Sequence, residues 1–275
     1  MKKLKQLLCA AGLGFSFSLS AHQLDTLSQL SVKDFTDYQI SEISYQVTDE
    51  VDMLSRSFVE GMASRDGVVY VSSGGFGYSY ITAYALDQSK SLYTYFLGSN
   101  AFGEGITFYH NHLYQMNYHS QAVDVYDYAL QKKQTITFPI EGWGLTHNSH
   151  SFISTDGSNQ VYFISPETHK ITKSIKLFFP GTQRQISHLN DLTYVNGQLY
   201  INIFGTSLIL VIDAQDGEIK GLLNLETLSK QQGNLPPNCT MNGITYVKDK
   251  NVFVIGGKCW KKRYVISINQ QGDNK

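Results

Sequence analysis

One short pattern, met five times along 275 residues, most constrains what this chain can fold into. Polar or aromatic residues precede a small residue, then an apolar one, then usually Thr. The copies are Phe58-Val59-Glu60-Gly61-Met62, Phe102-Gly103-Glu104-Gly105-Ile106-Thr107, Glu141-Gly142-Trp143-Gly144-Leu145-Thr146, Leu189-Asn190-Asp191-Leu192-Thr193 and Met241-Asn242-Gly243-Ile244-Thr245. Aligned on Met62, Ile106, Leu145, Leu192 and Ile244, they lie 44, 39, 47 and 52 residues apart. A turn follows each copy, as at Arg65-Asp66-Gly67 or Asn196-Gly197, and then a β-rich run such as Val68–Val71 or Leu199–Ile203. Asn-Gly between alternating apolar residues is a strong hairpin signal. Third strands are predicted at Tyr80–Leu86, Val123–Tyr128, Val161–Ile164, Ile209–Ile212 and Tyr264–Ile268. Outer strands are predicted around Tyr93–Leu97, Thr135–Phe138, Ile175–Phe179 and Gly221–Leu225.

A four-stranded antiparallel unit recurring every 40–50 residues is the mark of a propeller blade. The pattern therefore predicts an all-β, five-bladed β-propeller. The fifth blade runs out after three strands, and Ile43–Val47, ahead of the first repeat, is predicted to supply its outer strand and close the ring. Closure removes exposed sheet edges. A β-sandwich explains the even spacing poorly.

Composition narrows the function classes. Hydrophobic residues are 42% and aromatics 13%, which excludes a disordered chain. A formal charge of −1 supplies no basic field, so nucleic acid is not an expected partner. Met1-Lys2-Lys3 and Lys5, the uncharged run Leu7–Leu19 and the small residues Ser18 to Ala21 read as a signal peptide over residues 1–20. Residues 21–275 then form a single domain. Loss of Lys2, Lys3 and Lys5, with no acid removed, shifts the formal charge from −1 to −4. The expected destination is the periplasm or the medium, with no membrane attachment after cleavage, and nothing in the sequence indicates an oligomer. Cleavage also removes Cys9 and leaves Cys239 and Cys259, an even count that suggests a disulfide. A hairpin pairing Val247 with Val252 would bring those two cysteines almost opposite each other.

The first strand of a propeller blade lines the central channel, so all five motif copies meet on one face. Glu60, Glu104, Trp143, Asn190 and Asn242 should ring its mouth. The second strands return to the same face with Gly74-Gly75-Phe76-Gly77, Asn117-Tyr118-His119, Thr155-Asp156-Gly157, Phe204-Gly205-Thr206 and Lys258-Cys259-Trp260. Aromatic walls with few convergent polar groups are the usual small-ligand site. His110, His112, His147 and His150 fall in or beside the turns at the far ends of the hairpins. They offer no third metal ligand by spacing, so no metal site is assigned to them.

At these motifs the chain resembles the plant-type and bacterial glutamine cyclotransferases, also called glutaminyl-peptide cyclotransferases. The carrying segments are Phe102–Thr107 with Leu113-Tyr114-Gln115, Glu141–Thr146 with Ser154 and Asp156-Gly157-Ser158, Leu189-Asn190 with Tyr194–Gly197 and Tyr200, and Asn242-Gly243-Ile244 with Gly257-Lys258 and Trp260. The family is a five-bladed propeller, and its members are not the zinc-dependent animal type. The resemblance implies that an N-terminal glutamine closes to pyroglutamate with release of ammonia. It implies peptides or proteins with N-terminal Gln as partners, and no cofactor. The chain departs from the family pattern at Glu60, where glutamine is usual, at Tyr118 and Phe204, where tryptophan is usual, at Asp191 (glutamate) and at Lys261 (proline). On this reading Glu104 shuttles the proton, and Tyr118, Trp143, Phe204 and Trp260 cage the substrate. Lys258, Asn190 and Asn242 are the candidate oxyanion donors, and Glu60 lies at the mouth. The competing readings are a non-catalytic peptide-binding propeller and a calcium-dependent lactonase-like hydrolase.

Overall fold

The computed structural model describes residues 30–53 and 57–268. The leader expected over residues 1–20 lies outside the described residues. Among the described residues, twenty strands form five four-stranded antiparallel sheets. Blade 1 is β2 (Val59–Arg65), β3 (Val68–Ser73), β4 (Tyr80–Ala85) and β5 (Ser91–Phe96). Blade 2 is β6 (Gly103–Tyr109), β7 (His112–Asn117), β8 (Ala122–Tyr126) and β9 (Lys132–Thr137). Blade 3 is β10 (Gly144–His147), β11 (Phe152–Thr155), β12 (Gln160–Ile164) and β13 (Ile171–Lys176). Blade 4 is β14 (Leu189–Val195), β15 (Gln198–Ile203), β16 (Leu208–Asp213) and β17 (Ile219–Asn224). Blade 5 is β18 (Met241–Val247), β19 (Val252–Gly257), β20 (Lys262–Ile268) and, from the other end of the chain, β1 (Tyr45–Asp52).

Burial follows position in the blade. Inner strands such as β2 and β14 are buried almost throughout, while the outer strands β5 and β9 are almost wholly exposed or half-buried. The described apolar core separates into five clusters, one at each contact between neighbouring blades. Met62, Val69 and Val71 of blade 1 meet Val247, Val254 and Val265 of blade 5, for example, so the last blade packs on the first. No blade has a core of its own, which is why the ring must be complete to be stable.

Closure occurs as expected, with altered bounds. Tyr45 pairs with Ile268 and Val47 with Ile266, and the strand continues to Asp52 opposite Lys262. Ile43 is not part of it. Its N–H donates to the Leu222 carbonyl at 2.8 Å, and its side chain lies over Gly221 of blade 4. The outer strand expected at Ile175–Phe179 is instead Ile171–Lys176. Leu177 and Phe179 turn inward, where Phe35 of a short helix (Val32–Thr36) packs on Phe179 with ring centroids 5.1 Å apart.

One irregularity recurs at the motif itself. The register of the inner hairpin slips between Val59 and Gly61, between Gly103 and Ile106, between Leu189 and Leu192, and between Met241 and Ile244. Glu60, Glu104, Asn190 and Asn242 therefore sit in β-bulges, which re-aim a side chain out of the sheet's alternation. Beside them the inner strands touch: a Cβ on Gly105 would lie 2.5 Å from the Leu145 nitrogen of the next blade. Only a residue without a side chain admits that approach.

Candidate active site

The bulged side of the ring closes around a cavity of about 70 Å³ lined by Phe58, Glu60, Phe102, Glu104, Tyr118, Trp143, Asn190, Phe204, Asn238 and Lys258. Seven residues singled out from the sequence meet there: Glu60, Glu104, Tyr118, Trp143, Asn190, Phe204 and Lys258. They come from strand starts and strand returns of all five blades, so the closed ring is what assembles them.

The polar floor is a buried three-residue cluster. Glu60, Glu104 and Lys258 are only 2%, 4% and 5% exposed. Lys258 Nζ donates to Glu60 Oε2 at 2.5 Å, and the Glu60 and Glu104 carboxyls share a hydrogen bond. Burial pushes the Glu104 carboxyl well above the usual carboxylate range, and the neighbouring charge of Glu60 raises it further. Burial raises Glu60 as well, but the Lys258 ammonium pulls against it. The Lys258 ammonium thus favours charge on Glu60, while burial and the Glu60 carboxyl favour the protonated form of Glu104. Two carboxyls this close cannot both ionise at low cost.

The walls are aromatic. Lys258 Nζ lies 4.6 Å from the centroid of Phe58 and 4.8 Å from that of Phe204, within cation–π range. Trp143 meets Phe204 edge-on at 5.9 Å. It stands directly over Gly157, where a Cβ would lie 2.7 Å from the indole. Phe102 lies 5.1 Å from Tyr118. The Asn190 side-chain oxygen faces no protein partner although it is buried.

Two expected pocket residues are elsewhere. Asn242 Nδ2 donates to the carbonyls of Val59 and Glu60 at 3.1 and 3.2 Å, so its amide ties blade 5 to blade 1 and does not reach the cavity. Trp260 is folded under the strand return. It packs on Gly257 and lies 6.0 Å from Tyr264, in the core between blades 4 and 5. Both occupy the repeat positions expected of them, but their side chains take inward routes set by neighbouring backbone.

Phe58, Phe102 and Asn238 line the cavity without having been singled out. The first two had a signal, since each opens its motif copy with Phe. Asn238 had only its place beside Cys239. Beneath the cavity lies Asp191, fully buried, whose Oδ2 accepts from the N–H groups of Met62 at 3.2 Å and Ile244 at 2.9 Å. It joins the inner strands of blades 1, 4 and 5. Burial raises its carboxyl well above the ordinary value, even though those backbone donors lower it.

The expected disulfide is present between Cys239 and Cys259, with Cα atoms 5.4 Å apart. It joins the two pocket segments that carry Asn238 and Lys258. Of the four histidines, His110 and His147 line the opposite mouth, a wider opening of about 860 Å³. His147 is not a free surface-turn residue: its Nδ1 lies 3.0 Å from Thr107 Oγ1, and burial lowers its pKa to about 4.

Comparison with known proteins agrees with this geometry. The chain is 27% identical over 239 residues to an Arabidopsis thaliana protein named glutaminyl-peptide cyclotransferase, spanning 85% of this chain and 73% of that one. The crystal structure of Myxococcus xanthus glutaminyl cyclase superposes with a TM-score of 0.76 at 21% identity, covering 83% of this chain and 98% of that one, a likeness of fold. The sequence model of the glutamine cyclotransferase family matches residues 19–268. With nearly the whole propeller inside that match, the chain belongs to the glutamine cyclotransferase family.

Proposed function

We propose that the protein is a glutaminyl-peptide cyclotransferase, converting an N-terminal glutamine to pyroglutamate with release of ammonia. The observation that carries this is the buried Glu104–Glu60–Lys258 cluster at the floor of an aromatic pocket. A cavity of about 70 Å³, at roughly 10–15 Å³ for each water-sized group, accepts a side chain the size of glutamine's.

The reaction joins the α-nitrogen to the γ-carbon and breaks the bond from that carbon to the amide nitrogen. Nucleophile and electrophile belong to one residue, so catalysis consists largely of folding the side chain back and moving one proton. Tyr118, Trp143, Phe204 and Phe58 confine the folded conformer. Glu104 enters protonated, gives its proton to the departing nitrogen and regains one from the attacking amine. Such a shuttle contributes roughly 10²–10⁴-fold. Lys258 and the Asn190 amide face the carbonyl oxygen as charge develops on it. Glu60 serves as the fixed anion that keeps the proton on Glu104. Its own charge is met by Lys258, so replacing the family's usual glutamine does not leave an unpaired charge in the mouth.

The lactonase-like reading needs several oxygen ligands converging on a cation. Here the Lys258 ammonium is already bonded to Glu60 Oε2, which disfavours it. We read the chemistry as independent of zinc. We further propose that residues 1–20 are a signal peptide, that residues 21–275 form one propeller domain acting as a monomer, and that the protein works in the periplasm or the medium. The disulfide supports an oxidising compartment. Among the described residues no helix is long and apolar enough to cross a membrane. Incubation with a Gln-Ala peptide tests the activity. The expected result is loss of one ammonia by mass, undiminished by a chelator. An unchanged peptide mass would overturn the assignment, and loss of activity with chelator would overturn its independence of zinc.

A further inference from the structure

The pocket continues into a ridge of rings that leads out to solvent. Phe102, which lines the cavity, lies 5.2 Å by ring centroids from Phe76 in the loop between β3 and β4. Phe76 is 47% exposed, a large apolar ring standing in water beside the mouth. Its loop is fixed there. The Gly74 N–H donates to the Phe58 carbonyl at 2.9 Å, and a Cβ on Gly74 would lie 2.4 Å from the Phe102 ring, so only glycine lets the loop run across that ring. Tyr78, in the same loop, is 52% exposed. On the other side of Tyr118 the rim is polar: His119 lies 3.8 Å from the Tyr118 ring and its Nδ1 faces Glu141 Oε2 at 3.5 Å. The mouth thus has one apolar edge and one polar edge.

We propose that Phe76, backed by Phe102, forms a second subsite that receives an apolar or aromatic side chain from one of the first two residues following the substrate's glutamine. This rests on the cyclotransferase reading. The occupant follows from continuity: a peptide whose first side chain fills the cavity must leave through this mouth. An extended chain advances about 3.3–3.6 Å per residue, so two residues cover the step from Phe102 to Phe76. Contiguous exposed apolar surface at the rim of a site marks where a ligand is covered. The ridge therefore selects among peptides that all begin with glutamine, a choice the cavity alone does not make.

The test compares Gln-Phe-Ala, Gln-Ala-Phe and Gln-Ala-Ala. Calorimetric affinities on Glu104→Gln read binding without turnover, and kcat/KM on the unaltered enzyme reads turnover. At least one aromatic peptide should be favoured over Gln-Ala-Ala by roughly three- to tenfold, the size of an aromatic pair interaction. Phe76→Ser should bring that ratio to about one, and Phe76→Tyr should preserve it. A ratio near one before substitution, or a preference that survives Phe76→Ser, would overturn the subsite. If the enzyme cyclises none of the three peptides, the activity assignment falls, while the calorimetric ratio still decides the subsite.

Discussion

The two mouths of one channel are built from the same five hairpins yet differ in every property that chemistry needs. At the bulged mouth the cavity is about 70 Å³, and two carboxyls and an ammonium converge beneath aromatic rings. At the other mouth the opening is about 860 Å³, lined by the far ends of the inner strands and the turns that follow them, where His147 Nδ1 lies 3.0 Å from Thr107 Oγ1. The difference lies in where the repeat puts its irregularity. Bulges re-aim Glu60 and Glu104 into the cavity at one end, and the same hairpins run in regular register toward the other. A propeller's symmetry supplies two openings, and local backbone decides which of them can hold a desolvated proton.

The sharpest way to break this contrast is to alter one titratable group at each mouth. Glu104→Gln keeps the shape of the floor and removes the proton, so kcat/KM on a Gln-Ala peptide should fall by about 10³-fold. His147→Gln should leave it within about twofold. Comparable losses in both variants would mean that the bulged mouth has no special role.

The disulfide tests whether that mouth is also the more tightly held. Cys239 and Cys259 are 20 residues apart, and closing such a loop stabilises by roughly 3 kcal/mol in the chain-entropy model. The Cys239→Ser, Cys259→Ser protein should melt several degrees lower. Because the bridge anchors Asn238 and Lys258, KM should also rise at temperatures well below melting. A variant with lower melting temperature and unchanged KM would make the bridge purely structural.

The opposite mouth has its own signature, in stability. Folding lowers the His147 pKa from 6.5 to about 4, so the native state holds this ring neutral. The stability this gives is complete above the unfolded value and is lost as pH falls from about 6.5 toward about 4. The loss attributable to His147 should be on the order of 2 kcal/mol, seen as a drop in urea midpoint over that window. His147→Phe should flatten the drop. An identical drop in the variant would show that other groups cause it.

The smallest effect sharpens the role of Glu60. Its charge raises Glu104, so Glu60→Gln should lower the Glu104 pKa and move the alkaline limb of kcat/KM toward lower pH. The limb moves down because activity requires Glu104 protonated and is lost as pH rises through its pKa. The rate at neutral pH should change by less than about tenfold. A limb that stayed in place would detach Glu60 from the proton.

Much of this was legible in the sequence, and particular residues show where legibility stops. The repeat gave the blade count, the closing strand and the register of the last hairpin, in which Val247 pairs with Val252 as expected. It also gathered Glu60, Glu104, Trp143, Asn190 and Lys258 on one face. Asn242 shares the repeat position of Glu104, yet its amide turns to two carbonyls of blade 1, a choice made by a neighbouring strand 182 residues away in the chain. Trp260 lies two residues after Lys258, but Cys259 between them has a positive φ, and the indole packs under the strand rather than over the pocket. Ile175–Phe179 reads as a strand from its apolar content, but only Ile175 and Lys176 stay in the ladder, while Leu177 and Phe179 turn into the core, where Phe179 meets Phe35. Periodicity reports which face a residue belongs to, and bulges and turns decide where its side chain goes.

The proposed mechanism requires a proton on Glu104, whose carboxyl is raised well above the ordinary range by burial and by the neighbouring Glu60 charge. The most direct measurement is the infrared difference spectrum between the unaltered protein and Glu104→Gln at neutral pH, in the region of protonated carboxyl stretches. A protonated-carboxyl band is expected in the unaltered protein, and Glu104→Gln should remove it. A difference spectrum showing the loss of a carboxylate band instead, with no protonated carboxyl, would contradict the mechanism.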